Sequence, residues 1–267
     1  MKTSPNYLLF LIYTVFGLST NIIYSYSLRR CSKYVTNSFL YIRPPLSFGG
    51  LNSEEALYRE KQNLHRGDVV MPYFQTPSMK LVYHSTDELN AAAKLLASTM
   101  RALGAKKKMI VQVCDLGSSP LMYLQSRWFI PGLVEGASEI VGYRVICSEA
   151  SPERVGVFVD AHRMLRPSLT IINHSISGLV RTLIDNINSR IIIAGDFDEV
   201  GGDAQLVYSS EWLCFAHKCE SCGKFIPAVG SNVSCEGDNV IIANPAKARN
   251  GRYGGIKLDK REYCTCS

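Results

Sequence analysis

The chain has 267 residues, of which 46% are hydrophobic and 19% are charged, so a chain without a packed core is excluded. This length accommodates one large domain or two small ones. The formal net charge of +6 arises from 29 basic and 23 acidic side chains that are scattered along the chain, and Lys106–Lys108 is its tight basic run. Such scattered charge is typical of a solvated surface, and we expect no nucleic-acid partner.

An apolar stretch opens the chain. Tyr7–Tyr26 contains no charged residue, follows Lys2 and ends in Ser25-Tyr26-Ser27, a small-x-small pattern. These features are typical of a signal peptide or a marginal membrane anchor, although its polar residues Thr14, Ser19, Thr20 and Asn21 weaken a spanning helix. For residues 1–27, a membrane-associated segment and an apolar extension packed on the domain both stay open.

Residues 28–84 form a lead-in to the main repeat of elements. The pattern predicts amphipathic helices at Leu28–Tyr41 and at Ser53–Asn63, the second with Ser53 as N-cap. After these helices we expect a loop at Met71–Ser78 that leads into a strand at Lys80–Tyr83.

From Ser85 to Gly195 the chain alternates between helical and strand patterns. Ser85 with Glu88 predicts a capping box, and Gly104 predicts a left-handed helix end after a stretch with apolar residues at helical spacing. The predicted strands are 109–114, 142–146, 169–172 and 190–194, and the helices between them are 121–140, 152–165 and 176–187. Because these strands lack polar alternation, they predict a parallel sheet covered by helices, an α/β fold.

Polar residues follow the predicted strands. In an open parallel sheet ligands bind beyond the carboxyl ends of the strands, so we expect one cleft there. It would be formed by Asp115–Ser119, Ser148–Ala150, Asn173–Ser177 and Gly195–Phe197. Within it His174 is a candidate pocket residue, whereas His162 in a helix is interpreted as structural. No Ser-His-Asp order and no nucleophile-elbow motif is present.

Two close cysteine pairs suggest a metal site. Cys219-x-x-Cys222 and Cys264-x-Cys266 have spacings suited to a tetrahedral structural zinc, with His217 as a substitute ligand. Free or disulfide-bonded thiols are the alternative. The remaining cysteines, Cys31, Cys114, Cys147, Cys214 and Cys235, are interpreted as small buried hydrophobes.

Several strings resemble, in order, those of a known enzyme family. They are Asn37-Ser-Phe-Leu-Tyr41, Met100-Arg-Ala-Leu-Gly104, Arg190–Gly195, Tyr208-Ser-Ser-Glu211, Arg252-Tyr253 and Cys264-Thr-Cys266. Over about residues 28–266 the chain resembles the phenylacetate–coenzyme A ligase family, AMP-forming enzymes of the adenylate-forming superfamily. The resemblance implies that superfamily's large N-terminal domain, with ATP, Mg²⁺, a small carboxylic acid and coenzyme A as ligands.

The resemblance also implies roles for individual residues. Glu211 matches the family's Mg²⁺-supporting carboxylate and is the candidate catalytic residue, with a helix-start carboxylate as the alternative. Gly195 and Asp196 would border the adenine, and Tyr208 belongs to the same motif. The family's phosphate loop falls at Tyr73–Lys80, where Thr76 and Ser78 would contact phosphate.

The chain departs from the family pattern at several of these places. Tyr73–Lys80 contains no Gly, the adenine-side Glu is missing, and Lys257 stands where the ribose Asp is expected, with Asp259 two residues beyond. The sequence ends where the family's mobile C-terminal domain would begin. We therefore expect a lead-in over 28–84, an α/β core over 85–211, a zinc-binding subregion over 212–267, and an impaired ligase.

The main alternative function is a non-catalytic, zinc-braced α/β module that binds a protein or a nucleotide. A third hypothesis presents the domain at a bilayer through residues 7–26. The expected location is cytoplasmic, with membrane association left open.

Overall fold

The computed structural model describes residues 69–75, 78–130, 132–151, 154–183, 189–200, 204–249 and 254–266. The predictions for residues 1–68, for Thr76 and for Arg252-Tyr253 lie outside these ranges. No helix within them is long and apolar enough to cross a bilayer.

The described part begins with a β-hairpin and a capped helix. Strand β1 (Val69–Gln75) pairs with β2 (Ser78–His84) in an antiparallel two-stranded sheet. The loop predicted at Met71–Ser78 is therefore wrong for Met71–Gln75 and for Ser78, because the former lie in β1 and Ser78 begins β2. Helix α1 (Thr86–Ala102) follows, and its predicted capping box of Ser85 and Glu88 is confirmed.

Next come the alternating strands and helices. The order is β3 (Ile110–Asp115), α2 (Pro120–Tyr123), α3 (Ala137–Val141), β4 (Arg144–Glu149), α4 (Val155–Leu165), β5 (Leu169–Asn173), α5 (His174–Leu183) and β6 (Arg190–Asp196). Strands β7 (Leu206–Ser209), β8 (Cys214–Lys218) and β9 (Phe225–Pro227) complete a seven-stranded sheet. Its strand order is β4-β3-β5-β6-β7-β8-β9.

The first five strands of this sheet are parallel, and β8 and β9 join it antiparallel. All four predicted strands and their parallel arrangement are confirmed. A separate three-stranded antiparallel sheet contains β10 (Asn232–Glu236), β11 (Asn239–Ala243) and β12 (Ile256–Asp259), with helix α6 (Pro245–Arg249) before its last strand. The fold is thus α/β with a mostly parallel sheet.

The helix predicted over 121–140 is wrong as one element. The structure has two short helices, α2 and α3, with irregular chain between them. At Gly136 a Cβ atom would lie 2.4 Å from the backbone of Gln125 and Ser126, so the returning chain lies directly against this residue. A continuous helix would move those two backbone segments apart, and the close packing of the returning chain therefore favours the break.

The main core lies between α1 and one face of the large sheet. Leu89, Leu96 and Met100 of α1 are completely buried, as are Val111 and Val113 of β3. The apolar spacing that predicted α1 is thus the face that packs on the sheet. A second apolar cluster on α4 and α5 covers the opposite face, so the carboxyl ends of the central strands are fixed from both sides.

Candidate functional site

The polar centre at the carboxyl ends of the strands is Asp115, the last residue of β3. Its side chain is completely buried. The side-chain nitrogen Nδ2 of Asn173 donates to Oδ1 at 2.5 Å, the hydroxyl of Ser119 donates to Oδ2 at 2.8 Å, and the hydroxyl of Tyr208 donates to Oδ1 at 3.2 Å. Burial raises the pKa of Asp115 to about 6, although these hydrogen bonds and one from the Leu116 N–H act in the opposite direction. Residues from three strand ends are therefore joined through one carboxyl group.

A small cavity lies beside this centre and is lined partly by carboxylates. Its lining residues are Leu116, Ser118, Ser119, Asp196, Glu199, Tyr208 and Ser210. Burial raises the pKa of Asp196 and that of Glu199, and the neighbouring Asp196 and Asp115 carboxylates raise the pKa of Glu199 further. A cavity with an acidic lining is thus present at this edge of the sheet. Its lining includes residues from two of the four predicted segments, Asp115–Ser119 and Gly195–Phe197, and none from Ser148–Ala150 or Asn173–Ser177.

Two of the predicted binding residues, Asp196 and Tyr208, line this cavity. Asp196 ends β6, and its Oδ2 accepts the backbone N–H of Ser210 at 2.9 Å. Tyr208 is 2% exposed, and its hydroxyl faces Asp115.

Gly195 precedes the cavity residue Asp196 and is closely packed by side chains. A Cβ atom at Gly195 would lie 2.3 Å from Cγ1 of Val200 and 2.8 Å from Nδ1 of His174. His174 is therefore packed against β6, outside the set of cavity-lining residues, and burial lowers its pKa. His162 is buried, and its Nδ1 lies 2.9 Å from the side-chain oxygen of Gln112, in agreement with the structural interpretation.

The other predicted ligase residues occupy different settings. Glu211 lies in the turn between β7 and β8, directly after the cavity residue Ser210, and is partly exposed. Its position is therefore a turn, not the start of a helix. Ser78 begins β2 and pairs with Gln75 at the end of the hairpin. The roles predicted for Glu211, Thr76 and Ser78 stay predictions.

The two cysteine pairs meet at one point. The sulfur atoms of Cys219, Cys222, Cys264 and Cys266 all lie within 4.8 Å of one another. Four sulfurs bound to one zinc at about 2.3 Å would be separated by about 3.8 Å in a tetrahedron, so the observed grouping has the size of such a site. Among the described residues, His217 does not belong to this group.

Local backbone structure brings these pairs together. Cys219-x-x-Cys222 forms a tight turn in which the Gly223 N–H donates to the Cys219 carbonyl at 2.9 Å, and Gly223 has a φ of +71°. Phe225 and Tyr263 then form an isolated parallel β-bridge, and the Cys264 N–H donates to the Phe225 carbonyl at 2.9 Å. The backbone N–H groups of Cys222 and Ser221 lower the pKa of Cys219 to about 7, which favours the thiolate that a metal requires. Burial raises the pKa of Cys264, and the Cys222 side chain raises the pKa of Cys266, so the thiolate is favoured at Cys219 and not at these two.

The other cysteines follow the prediction with one correction. Cys114, Cys147 and Cys214 are buried, but Cys235 is exposed on β10, an edge strand whose residues all face solvent. The expectation of burial at Cys235 is therefore wrong, and Cys31 lies outside the described residues.

Sequence reasoning missed two sets of contacts. The first joins Asp115, Ser119 and Asn173: their shared edge of the sheet was predicted, but not that Ser119 and Asn173 donate to one Asp115 carboxyl group. The second is an ion pair in which Nζ of Lys247 lies 3.7 Å from Oε2 of Glu88, with side chains only 3% and 0% exposed. Lys247 and Glu88 are far apart in sequence, so no local pattern indicates their contact.

No protein-family model and no curated protein matches the chain. Among solved structures it is similar to 2-hydroxyisobutyryl-CoA ligase in complex with 2-HIB-AMP and CoA, with 12% identity and a TM-score of 0.46 over 65% of this chain and 44% of that one. It is also similar to o-succinylbenzoate CoA synthetase from Bacillus subtilis, with 14% identity and a TM-score of 0.43 over 71% of this chain and 45% of that one. The chain thus spans less than half the length of these two adenylate-forming enzymes, and likeness at this level assigns no role to any residue.

Proposed function

We propose that this chain is a zinc-braced α/β domain of the ligase-like type that binds a small ligand at the carboxyl edge of its sheet and has little or no adenylation activity. The observation that carries the metal part of the proposal is the convergence of four cysteine sulfurs within 4.8 Å of one another. The ligand-binding part is supported by the cavity beside Asp196 and Tyr208. Four thiolates fill a tetrahedral shell and leave no open position for an activated water, so the zinc is structural.

Zinc stoichiometry tests the metal part of the proposal. We expect about one equivalent of zinc in protein purified without chelator, and loss of that zinc in Cys266→Ser. Cys235→Ser is the matched control, because Cys235 is an exposed cysteine outside the cluster. Less than half an equivalent in the unaltered protein, or equal zinc in Cys266→Ser and the unaltered protein, would contradict the metal site.

The weak adenylation that we propose is supported by the candidate phosphate-binding segment. Tyr73 pairs with Lys80, Phe74 with Met79 and Gln75 with Ser78. An antiparallel ladder uses backbone N–H groups within the hairpin, whereas a phosphate-binding loop directs several of them at the ligand. Asp196 and Glu199 would also repel a nucleotide polyphosphate unless Mg²⁺ accompanied it.

Pyrophosphate release tests this part. We expect the purified chain, given ATP, Mg²⁺, coenzyme A and a panel of small carboxylic acids that includes phenylacetate, to release pyrophosphate no faster than a blank. Robust Mg²⁺-dependent release that is lost in Glu211→Ala and kept in Glu135→Ala, an exposed carboxylate elsewhere, would instead make the chain an active AMP-forming ligase with Glu211 at its metal.

A further inference from the structure

The amino ends of the parallel strands carry a concentration of positive charge. Backbone hydrogen bonds join the segments that enter these strands: the Lys108 N–H donates to the Gly142 carbonyl at 2.8 Å, and the Ser168 N–H donates to the Ile110 carbonyl at 2.9 Å. The exposed basic residues at this edge, here called the basic edge, are Arg101, Lys106, Lys107, Lys108, Arg144, Arg163, Arg166 and Arg190.

Among the residues that the structure describes, two of these eight charges have an acidic partner at the surface. Arg163 lies 3.7 Å from Asp160, and Arg190 contacts Glu220. Both pairs are exposed to water, where an ion pair contributes little and is screened by salt. The basic edge therefore keeps a clear excess of positive charge.

The opposite edge of the same sheet is acidic. Asp115, Glu149, Asp196, Asp198 and Glu199 lie at or just beyond the carboxyl ends of β3, β4 and β6, and Arg154 lies 3.5 Å from Glu149 there. The charge of the domain is therefore polarised along the strand direction, and an anionic surface would attract the basic edge and repel the cavity edge.

Apolar side chains are exposed within the basic edge. Helix α4 ends there, and Met164 in its last turn is 81% exposed while Leu165 is 43% exposed. They lie between Arg163 and Arg166 in sequence. The elements that carry the eight basic residues have no exposed aromatic side chain at this edge. These elements therefore do not form the stacking platform that is typical of single-stranded nucleic-acid binding. Basic residues around exposed apolar side chains are instead typical of binding to the interface of an anionic bilayer.

We propose that the basic edge docks this domain on an anionic membrane surface. Lys106–Lys108 and the neighbouring arginines contact lipid phosphates and carboxylates, and Met164 and Leu165 enter the headgroup region. The cavity at the carboxyl edge then faces away from the membrane. The basic edge does not include the apolar residues 7–26. Its contribution to membrane binding is measured from the change in binding with lipid charge.

Vesicle binding of the full chain tests the proposal. The measured quantity is the ratio of the partition coefficient on phosphatidylcholine–phosphatidylserine vesicles to that on phosphatidylcholine alone, which removes any contribution of residues 7–26 that is independent of lipid charge. Each basic residue near an anionic surface contributes about 1 kcal/mol, or about fivefold. We therefore expect the triple substitution Lys106→Gln, Lys107→Gln and Lys108→Gln to lower this ratio by roughly 100-fold.

The matched control removes the same charge elsewhere. Lys94, Lys257 and Lys260 are exposed lysines outside the basic edge, and their combined substitution by Gln should leave the ratio within about twofold. Met164→Gln should weaken binding to the charged vesicles, whereas Val157→Gln, at an exposed site nearer the start of α4, should not.

Three results would overturn the proposal. They are a ratio near one for the unaltered protein, an equal loss in both triple variants, and tighter binding to a homopolymeric RNA than to the charged vesicles. The last result would assign the basic edge to a nucleic acid.

Discussion

Asp115 is a carboxyl group held away from water by three strand ends, and its protonation is therefore linked to folding. Its pKa is raised by burial to about 6, against about 3.9 in an unfolded chain. Between these two values the folded state binds more protons than the unfolded state, so the contribution of Asp115 to stability decreases as pH rises through this interval. A shift of this size corresponds to about 3 kcal/mol.

Asp115→Asn should remove this pH dependence. We expect the free energy of unfolding of the unaltered protein, relative to the variant, to decrease by up to about 3 kcal/mol between about pH 4 and pH 7. Urea denaturation of both proteins at several pH values measures it. Using the difference cancels the contribution of Asp196, whose pKa is also raised. The Glu199 contribution adds to the difference in the same direction, because the Asp115 charge raises the pKa of Glu199. Parallel profiles for the two proteins would show that Asp115 titrates normally.

The buried ion pair of Lys247 and Glu88 connects α6 to the start of α1. Lys247→Met leaves the Glu88 charge buried without this partner, and we expect a loss of about 3–5 kcal/mol in unfolding free energy. Glu88→Gln keeps an acceptor for the Ser85 N–H, which the Glu88 carboxylate accepts at 3.1 Å. The double variant should therefore be more stable than Lys247→Met alone. Denaturation of the two single variants and the double variant measures this coupling, and additive losses would contradict it.

At the scale of single residues, the sequence predicted where a side chain lies in the fold better than which side chains it contacts. The order of strands placed Asp115, Asn173 and Asp196 at one edge of the sheet, because parallel strands end together. It could not indicate that Asp115 is completely buried, since this depends on Tyr208 from a strand 93 residues later. The meeting of the two cysteine pairs was predictable, because two short spacings each place two thiols together and suggest one shared site.

At the scale of elements, regular periodicity predicted helices and strands reliably, whereas a break within a helical pattern was not predicted. Helix α1 was predicted because its apolar residues repeat and its capping box is local in sequence. The segment 121–140 has enough apolar residues to suggest a helix, but its path is decided by the approach of Gln125 and Ser126 to Gly136. That contact is a tertiary feature, so the helical pattern overstated the length of the element.

Gly136→Ala tests this explanation of the break. A Cβ atom there would lie 2.4 Å from three backbone atoms that cannot move independently of the chain, and we expect a loss of about 1–3 kcal/mol in stability. Gly178→Ala is the control: Gly178 lies inside helix α5 with no atom within 4 Å of the added carbon. It should be neutral or stabilising by up to about 1 kcal/mol. Equal thermal shifts for both variants would show that the close approach at Gly136 does not decide the chain path.

At the scale of the whole molecule, the Cys264-x-Cys266 pair lies against the turn that follows strand β8 of the large sheet. Strand β8 pairs with β7 and is therefore held by the large sheet, whereas the Cys219-x-x-Cys222 turn extends beyond it and meets residues 262–266 through the bridge of Phe225 and Tyr263. A short bridge and the cluster of four cysteine side chains lie between these two segments. Segments with few such links are the first to open.

Removal of the proposed zinc should therefore loosen one part of the molecule selectively. We expect a chelator to increase amide hydrogen exchange in residues 219–227 and 256–266, and to leave β3, β5 and β6 protected, because their burial does not depend on the cysteines. Cys266→Ser should reproduce the effect without chelator, and Cys235→Ser should not. Exchange that rises equally throughout the large sheet would show that the metal supports the whole fold, and unchanged exchange near Cys219 and Cys264 would show that no metal joins these segments.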